Sequence, residues 1–228
     1  MLKTLFDEIF SDVGVYSAIL VTLRMAVTST FFSAVFGTVL GLFLERYSFP
    51  GKRLVVRINR TLMGVPPVVV GLLVYMLTMR RGPLGKLELL FTVEGMILAQ
   101  TIIITPIICG MIYTYAVKTA PAVRVFAKTM GAGKLQTNFL LLKEMKHEIY
   151  FAIVTGFGRS ISEVGAVMLV GGNIKGHTRT MTTAISLLKS QGIFTEGLAL
   201  GILLLVMAFI LQCMADFFRK ESEEDENY

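Results

Sequence analysis

Five long apolar runs dominate this 228-residue chain and constrain its fold more than any other feature. They have 19 to 29 residues, and about 20 are enough for an α-helix to cross the hydrocarbon core of a bilayer. Only 17% of the residues are charged and 54% are apolar, so a water-soluble globular domain is disfavoured. We therefore predict an all-α, polytopic transmembrane helical bundle that forms a single domain over residues 1–228, with about five spans at 16–44, 61–79, 95–117, 149–170 and 197–218.

The lysine and arginine residues predict how these spans are oriented. Thirteen of the 22 lie in segments 45–60 and 118–147 and in a short acidic tail at 219–228, whereas seven lie in the connections on the other side. Because cytoplasmic loops carry the excess of basic residues, we expect the N-terminus outside and the C-terminus in the cytoplasm. The basic residues are dispersed between apolar runs, so the net charge of +6 does not indicate a nucleic-acid partner.

The fourth run carries the most informative polar residues. Arg159 and Glu163 are one helical turn apart, and a continuous helix would align them with Thr155 and Ser162 on one stripe. A charge at mid-bilayer costs on the order of 2.5 to 3.5 kcal/mol, so the two residues must pair, face water or contact a partner. Two interpretations remain open: a structural ion pair, or part of a transport pathway or gate.

Two other runs contain residues that are unusual at membrane depth. Pro66 and Pro67 remove two consecutive amide donors from the second run, which predicts either a packing kink or a discontinuous helix beside a pathway. Arg24 lies about two turns inside the outer end of the first run. Its side chain either reaches the lipid headgroups or faces a water-filled cavity.

The segment 118–147 is too apolar for a simple connector. Val123, Phe126, Ala127 and Met130 follow helical spacing, and apolar residues resume that spacing after Gly131. The pattern predicts two short amphipathic helices joined by a glycine turn. These helices either dock a partner or lie on the membrane interface.

The sequence contains no recognisable catalytic constellation. Residues 131–134 (Gly-Ala-Gly-Lys) lack the first glycine and the Ser/Thr of a phosphate-binding loop. Cys109 and Cys213 lie inside apolar runs without metal-ligand spacing, and the two histidines fall on opposite sides of the predicted membrane. We therefore expect that this chain is not an enzyme and binds no metal or cofactor of its own.

Three stretches carry a resemblance to a known family. They read GLFLERYSFPGK at 41–52, LMGVPPVVVGL at 62–72 and ISEVGAVMLVGGNIKGHTRTMTTAI at 161–185. They resemble the membrane subunits of binding-protein-dependent ABC importers, and most of all the tungstate permeases of the molybdate, sulfate and tungstate branch. The resemblance covers about residues 14 to 218.

This resemblance implies a type I ABC importer permease fold and a homodimer in the inner membrane of a bacterium or archaeon. Two cytoplasmic ATPase subunits would hold ATP and Mg, and an extracytoplasmic binding protein would deliver tungstate, or alternatively molybdate or sulfate. The sequence has Val125-Phe126-Ala127 where the family has Glu-Ala-Ala, and Lys143-Glu144 where many members have Leu-Pro. The expected ATPase-coupling residues are Val125, Phe126, Ala127, Met130, Gly131, Ala132 and Gly133.

A tetrahedral dianion offers only acceptors, so its pathway needs hydrogen-bond donors and dispersed positive charge. Glu163 would repel a dianion, which favours a gate or the neutralisation of Arg159. An ATP-independent carrier or channel that uses these two residues is the alternative from a different class. Candidates for the pathway or gate are Arg24, Pro66, Pro67, Arg159, Ser160, Ser162 and Glu163. Gly171, Gly172, Asn173 and Arg179 form an outer loop that contacts the binding protein, lines the outer mouth or is a solvated connector.

Overall fold

A computed structural model describes residues 13–224 and shows an α-helical protein over that range. Its helices are α1 Val13–Arg46, α2 Lys52–Met63, α3 Pro67–Thr78, α4 Val93–Thr129, α5 Lys134–Glu144, α6 Lys146–Ile161, α7 Gly165–Gly171, α8 Met181–Ser190 and α9 Phe194–Glu224. A short 3-10 helix, Gly85–Leu87, lies between α3 and α4. No strand occurs within residues 13–224, so the predicted all-α fold is confirmed.

The described helices offer three to five membrane spans. Three are long and apolar enough to cross by themselves: Gly14–Arg46, Val93–Thr129 and Phe194–Cys213. The others are bent pairs, in which α2 meets α3 at 103° and α6 meets α7 at 60°. A 12-residue helix such as α3 is about 18 Å long, which is shorter than the roughly 30 Å of a bilayer core. Five spans result only if each bent pair is counted as one broken or re-entrant span.

The packing of α1 on α4 organises the core. Small residues on one face of α1 allow the two backbones to approach closely, because a Cβ on Gly37 would lie 2.8 Å from Cβ of Ile108. A Cβ on Gly41 would lie 2.9 Å from the carbonyl oxygen of Cys109. Apolar side chains of α4, including Ile104, then fill the interior against α6.

Helix α4 extends further than the hydropathy pattern predicts. It continues beyond residue 117 to Thr129, with Pro121 inside it, so the first of the two predicted amphipathic helices is the end of a long span. The predicted glycine turn is present: Gly131 has φ +71° and separates α4 from α5. Arg124 anchors this extension through a bidentate ion pair with Glu45 of α1. A helix does not have to end where the membrane ends, because its backbone bonds are satisfied equally well in water.

The last helix, α9, also extends beyond its predicted end. It reaches Glu224 and so includes the first part of the segment predicted to be a short acidic tail, 219–228. The remainder of that tail, 225–228, lies outside the described residues.

Candidate translocation site

The breaks in the two bent spans lie next to each other in the fold. Helix α3 packs on α7 so closely that a Cβ on Gly71 would lie 2.6 Å from Cα of Ala166. Nearer the breaks, a Cβ on Gly165 would lie 2.5 Å from Cγ2 of Val68. The two interrupted backbones, which sequence reasoning treated separately, therefore form one structural unit.

The first break is made by the two prolines. Pro66 is the extended residue before α3, with φ −61° and ψ 120°, and Pro67 is the first residue of α3. A proline at the first position of a helix loses no intrahelical bond, since that amide would have no partner in the helix. The chain can thus turn sharply after Gly64 and restart as α3 without an additional orphaned donor.

The second break lies at the charged pair. Arg159 is in the last turn of α6, and Glu163 lies in the segment between α6 and α7. Their side chains form an ion pair, with 2.7 Å between Nη1 of Arg159 and Oε2 of Glu163. The side chain of Glu163 is 5% exposed and that of Arg159 is 32% exposed. The pair is therefore asymmetric: the carboxylate is enclosed by protein and the guanidinium is partly accessible.

Glu163 is also held by the backbone of the break. Its Oε1 accepts a hydrogen bond of 3.2 Å from the amide of Ala166, in the first turn of α7. The backbone carbonyl oxygen of Glu163 accepts a hydrogen bond of 2.8 Å from Oγ1 of Thr182, which is on α8. One acidic residue thus neutralises Arg159 and also fixes the start of α7. Only the second of these roles was absent from the predictions made from the sequence.

The predicted polar stripe does not run along one continuous helix. Helix α6 ends at Ile161, so the stripe is interrupted between Arg159 and Glu163. Thr155 and Ser162 are exposed, and their hydroxyls donate to backbone carbonyls one turn earlier. Serine and threonine hydroxyls in helices often bond in this way to the carbonyl oxygen three or four residues earlier.

Ser160 lies inside the protomer. Its hydroxyl is buried and lies 2.9 Å from the hydroxyl of Ser29 on α1. Gln100 on α4 is also fully buried, and its amide has no hydrogen-bond partner among the described residues. Pattern reasoning missed Gln100, although an amide within an apolar run was a visible signal.

Arg24 has a partner that its position in sequence did not reveal. Its Nη2 lies 2.7 Å from Oε1 of Glu94, in the first turn of α4, and both side chains are more than half exposed. Thr92, the N-cap of α4, holds that end of the helix by accepting from the amide of Gly95. Arg24 is thus half of an exposed ion pair that joins α1, about three turns from its start, to the first turn of α4.

The outer loop is held together by its own hydrogen bonds. Gly172 ends α7 with φ +70°, and Asn173 follows with φ +53°. Arg179 donates from Nε to Oδ1 of Asn173 at 3.1 Å and from Nη2 to the carbonyl oxygen of the same residue. Thr178 closes the turn by donating to the carbonyl oxygen of Gly171. The four predicted residues therefore belong to a compact, ordered turn.

At the other end of the protein, apolar side chains surround the glycine turn. Ala127 is buried, and its carbonyl oxygen accepts from the amide of Ala132 across the turn. Gly133 is the residue before α5. The exposed apolar side chains, which we call the apolar end patch, are Val125, Phe126, Met130, Leu135 and Phe139.

Comparison with known proteins identifies the family. The family described as binding-protein-dependent transport system inner membrane component matches residues 37–222. The chain belongs to this family. Residues 37–222 include both broken spans, the outer loop and the apolar end patch. The predicted resemblance is therefore confirmed.

Individual relatives agree with this assignment. The tungstate uptake system permease protein TupB of Peptoclostridium acidaminophilum is 41% identical over 210 residues, covering 92% of each chain. The molybdenum transport system permease protein ModB of Escherichia coli K12 is 28% identical over 92% of this permease and 95% of ModB. A bacterial alginate ABC transporter, solved in complex with an alginate-bound periplasmic protein, superposes with a TM-score of 0.76 at 20% identity, over 95% of this chain and 82% of that one. The fold is that of an ABC importer permease.

Proposed function

We propose that this protein is the membrane-spanning subunit of an ATP-driven tungstate importer. The proposal rests on its 41% identity to a tungstate permease along nearly the whole chain, against 28% to a molybdenum permease. Two copies would form the pathway between them, because two interrupted spans in one protomer do not enclose a channel. We propose an N-terminus outside and a C-terminus in the cytoplasm of a bacterial or archaeal cell.

The observation that carries the transport role is the contact between the two broken spans at an asymmetric ion pair. The partly exposed guanidinium of Arg159 would offer donors to a passing oxyanion. The exposed hydroxyl of Ser162 would add one more once it exchanges its local bond to the carbonyl oxygen of Arg159 for the oxyanion. Glu163 points its charge into protein and keeps Arg159 from acting as a full positive charge. A partly neutralised positive site suits transport, because a dianion must leave the site as readily as it enters.

Energy would come from two cytoplasmic ATPase subunits that dock on the apolar end patch. Large apolar side chains at the end of a membrane protein need a protein partner or lipid to cover them. Gly131 forms the turn between α4 and α5 at the patch, and α4 continues without interruption into the core. Movement of the docked ATPases would therefore be transmitted directly along α4. ATP and Mg belong to those subunits.

On the opposite side, the outer loop that contains Asn173 and Arg179 would contact an extracytoplasmic oxyanion-binding protein. The alginate transporter was solved in complex with a periplasmic protein, which supports such a partner for this fold. The hydrogen bonds between Arg179 and Asn173 hold the turn in one shape, as a docking surface requires.

The transport assay uses proteoliposomes that contain this permease and its ATPase, with and without the binding protein. We expect tungstate uptake to require both ATP and the binding protein. Excess molybdate should inhibit this uptake less than excess unlabelled tungstate does. Stronger inhibition by molybdate would reassign the substrate. Uptake without ATP would replace the importer with a carrier.

Coupling is tested with Gly131→Asp. The glycine has φ +71° and open space around it, so the substitution places a charge and a strained residue at the patch without a clash inside the protein. We expect ATP hydrolysis to continue while tungstate uptake is lost. Gly192→Asp is the matched control, because Gly192 has φ +79° and equally open surroundings between α8 and α9. Normal coupled transport in Gly131→Asp would show that the coupling assignment is wrong.

A further inference from the structure

Helix α2 has three chemically distinct faces. One face packs on α4, where Nδ2 of Asn59 donates a hydrogen bond of 3.1 Å to the carbonyl oxygen of Pro106 and Met63 lies against Gly110. A second face is basic, with arginines at i, i+4 and i+7, namely Arg53, Arg57 and Arg60. The third is apolar and exposed, and consists of Leu54, Val55, Ile58 and Leu62.

The direction of α2 places these faces at the membrane surface. Helices α2 and α3 meet at 103°, so when the uncharged helix α3 enters the membrane, α2 lies nearly in the membrane plane. On a helical wheel the basic and apolar faces are roughly opposite each other, with the α4 contact between them. A helix in this position can direct its apolar face to the acyl chains and its arginines to the headgroups, while the third face stays on the protein.

The charge of this segment is entirely positive. Residues 46–66 contain five basic residues and no acidic residue. Within the described part of the chain, no carboxylate forms an ion pair with the three arginines of the basic face. Unpaired guanidiniums at a membrane surface are complementary to phosphate groups, which they bind in a bidentate manner.

A cavity of about 360 Å³ lies between α2, α1 and α4. Its walls are mainly apolar, and Asn59, Arg60 and Thr114 supply polar groups to it. A cavity with both kinds of wall suits an amphipathic molecule, whose phosphate would approach Arg60 while a chain lies against the apolar wall. The apolar side chains that line it include Leu44, Val56, Met63 and Tyr113.

We propose that α2 is an interfacial binding site for anionic phospholipid, with Arg53, Arg57 and Arg60 on headgroup phosphates and the apolar face among the acyl chains. The site is separate from the translocation site, and its test does not depend on the substrate or on transport. Each basic residue near an anionic surface strengthens the attraction by about 1 kcal/mol, which corresponds to about fivefold in binding.

The absence of tryptophan from this chain allows a direct test. The variant Ile58→Trp places the only tryptophan of the full-length protein at the centre of the apolar face. It is reconstituted into phosphatidylcholine vesicles that contain brominated phosphatidylglycerol or, at the same fraction, brominated phosphatidylcholine. Bromine quenches tryptophan only on contact, and both leaflets hold the same lipids, so protein orientation does not affect the result.

We expect brominated phosphatidylglycerol to quench more strongly, with a relative association constant at least about fivefold above that of brominated phosphatidylcholine. Replacing Arg53, Arg57 and Arg60 by Gln should bring this ratio close to one. The matched control replaces three exposed cations at the far end of α3, Arg80, Arg81 and Lys86, and should keep the preference.

Two results would overturn the proposal. Equal quenching by the two lipids would show that α2 contacts the membrane without selecting anionic headgroups. Absence of quenching by either lipid would show that a second copy of the chain, or another protein segment, covers the apolar face. Raising the salt concentration should also reduce the preference if the arginines provide it, because salt screens exposed charges.

Discussion

The ion pair at the second break should respond unequally to the loss of either partner. In Arg159→Gln, the carboxylate of Glu163 stays in a site where it is only 5% exposed and has lost its guanidinium. In Glu163→Gln, the guanidinium left behind is 32% exposed and can be solvated. The new amide oxygen can still accept from the amide of Ala166. The free energy of unfolding should therefore fall much more in the first variant than in the second.

Removing one partner of a buried ion pair costs about 3 to 5 kcal/mol. Glu163 keeps one backbone hydrogen bond in Arg159→Gln, so we expect the low end, about 3 kcal/mol. For Glu163→Gln we expect about 1 kcal/mol, the net value of one hydrogen bond whose donor can turn to water. The double variant leaves no charge, so it should be about 2 kcal/mol more stable than Arg159→Gln.

The buried thiol of Cys109 reports unfolding. With Cys213→Ser, Cys109 is the only cysteine, and a thiol-reactive fluorophore reaches it only when the bundle opens. At about 2 to 4 °C per kcal/mol for a chain of this length, Arg159→Gln should lower the midpoint by roughly 6 to 12 °C. Equal losses in the two single variants, or a double variant as unstable as Arg159→Gln, would refute the idea that a stranded carboxylate dominates.

Two other substitutions test the packing around the site with the same thermal assay. Gly71→Ala should lower the free energy of unfolding by about 1 to 3 kcal/mol, because its Cβ would lie 2.6 Å from Cα of Ala166, whereas Gly201→Ala, in open space, should not. Ser29→Ala and Ser160→Ala should each cost about 1 kcal/mol, and the double variant hardly more, since both remove one shared hydrogen bond. Strictly additive serine losses would show that the two hydroxyls do not depend on each other.

The fold class could be predicted from sequence because an apolar run of about 20 residues has few stable alternatives to a membrane helix. The position of the first break could also be predicted from the sequence, because the consecutive prolines Pro66 and Pro67 interrupt a regular helix. The 103° angle was not visible, because the direction of α2 depends on the contact of Asn59 and Met63 with α4. Local sequence gives the break, and tertiary packing gives the angle.

The second break and the ion pairs show a different limit. No proline marks the end of α6, and the local spacing does not indicate that the helix ends between Arg159 and Glu163. Arg24 and Glu94 are 70 positions apart, and Ser29 and Ser160 are 131 apart. Such partners are determined by how helices assemble, and no periodicity within one run contains that information. The sequence therefore indicated which polar residues mattered, but not which of them would meet.

The close packing of α3 on α7 limits how the site can move. Gly71 and Ala166 are in contact at the backbone, so neither helix can slide along the other without a clash. Each helix is nevertheless separated from its other half by a break, after Gly64 in one span and after Ile161 in the other. Relative motion is therefore easiest at the two breaks, with α3 and α7 moving as one body between them.

Glu163 lies at one of these hinges and binds both sides of it, through Arg159 on α6 and the amide of Ala166 on α7. The residue that neutralises the charge is thus also the one that connects the two helices across the break.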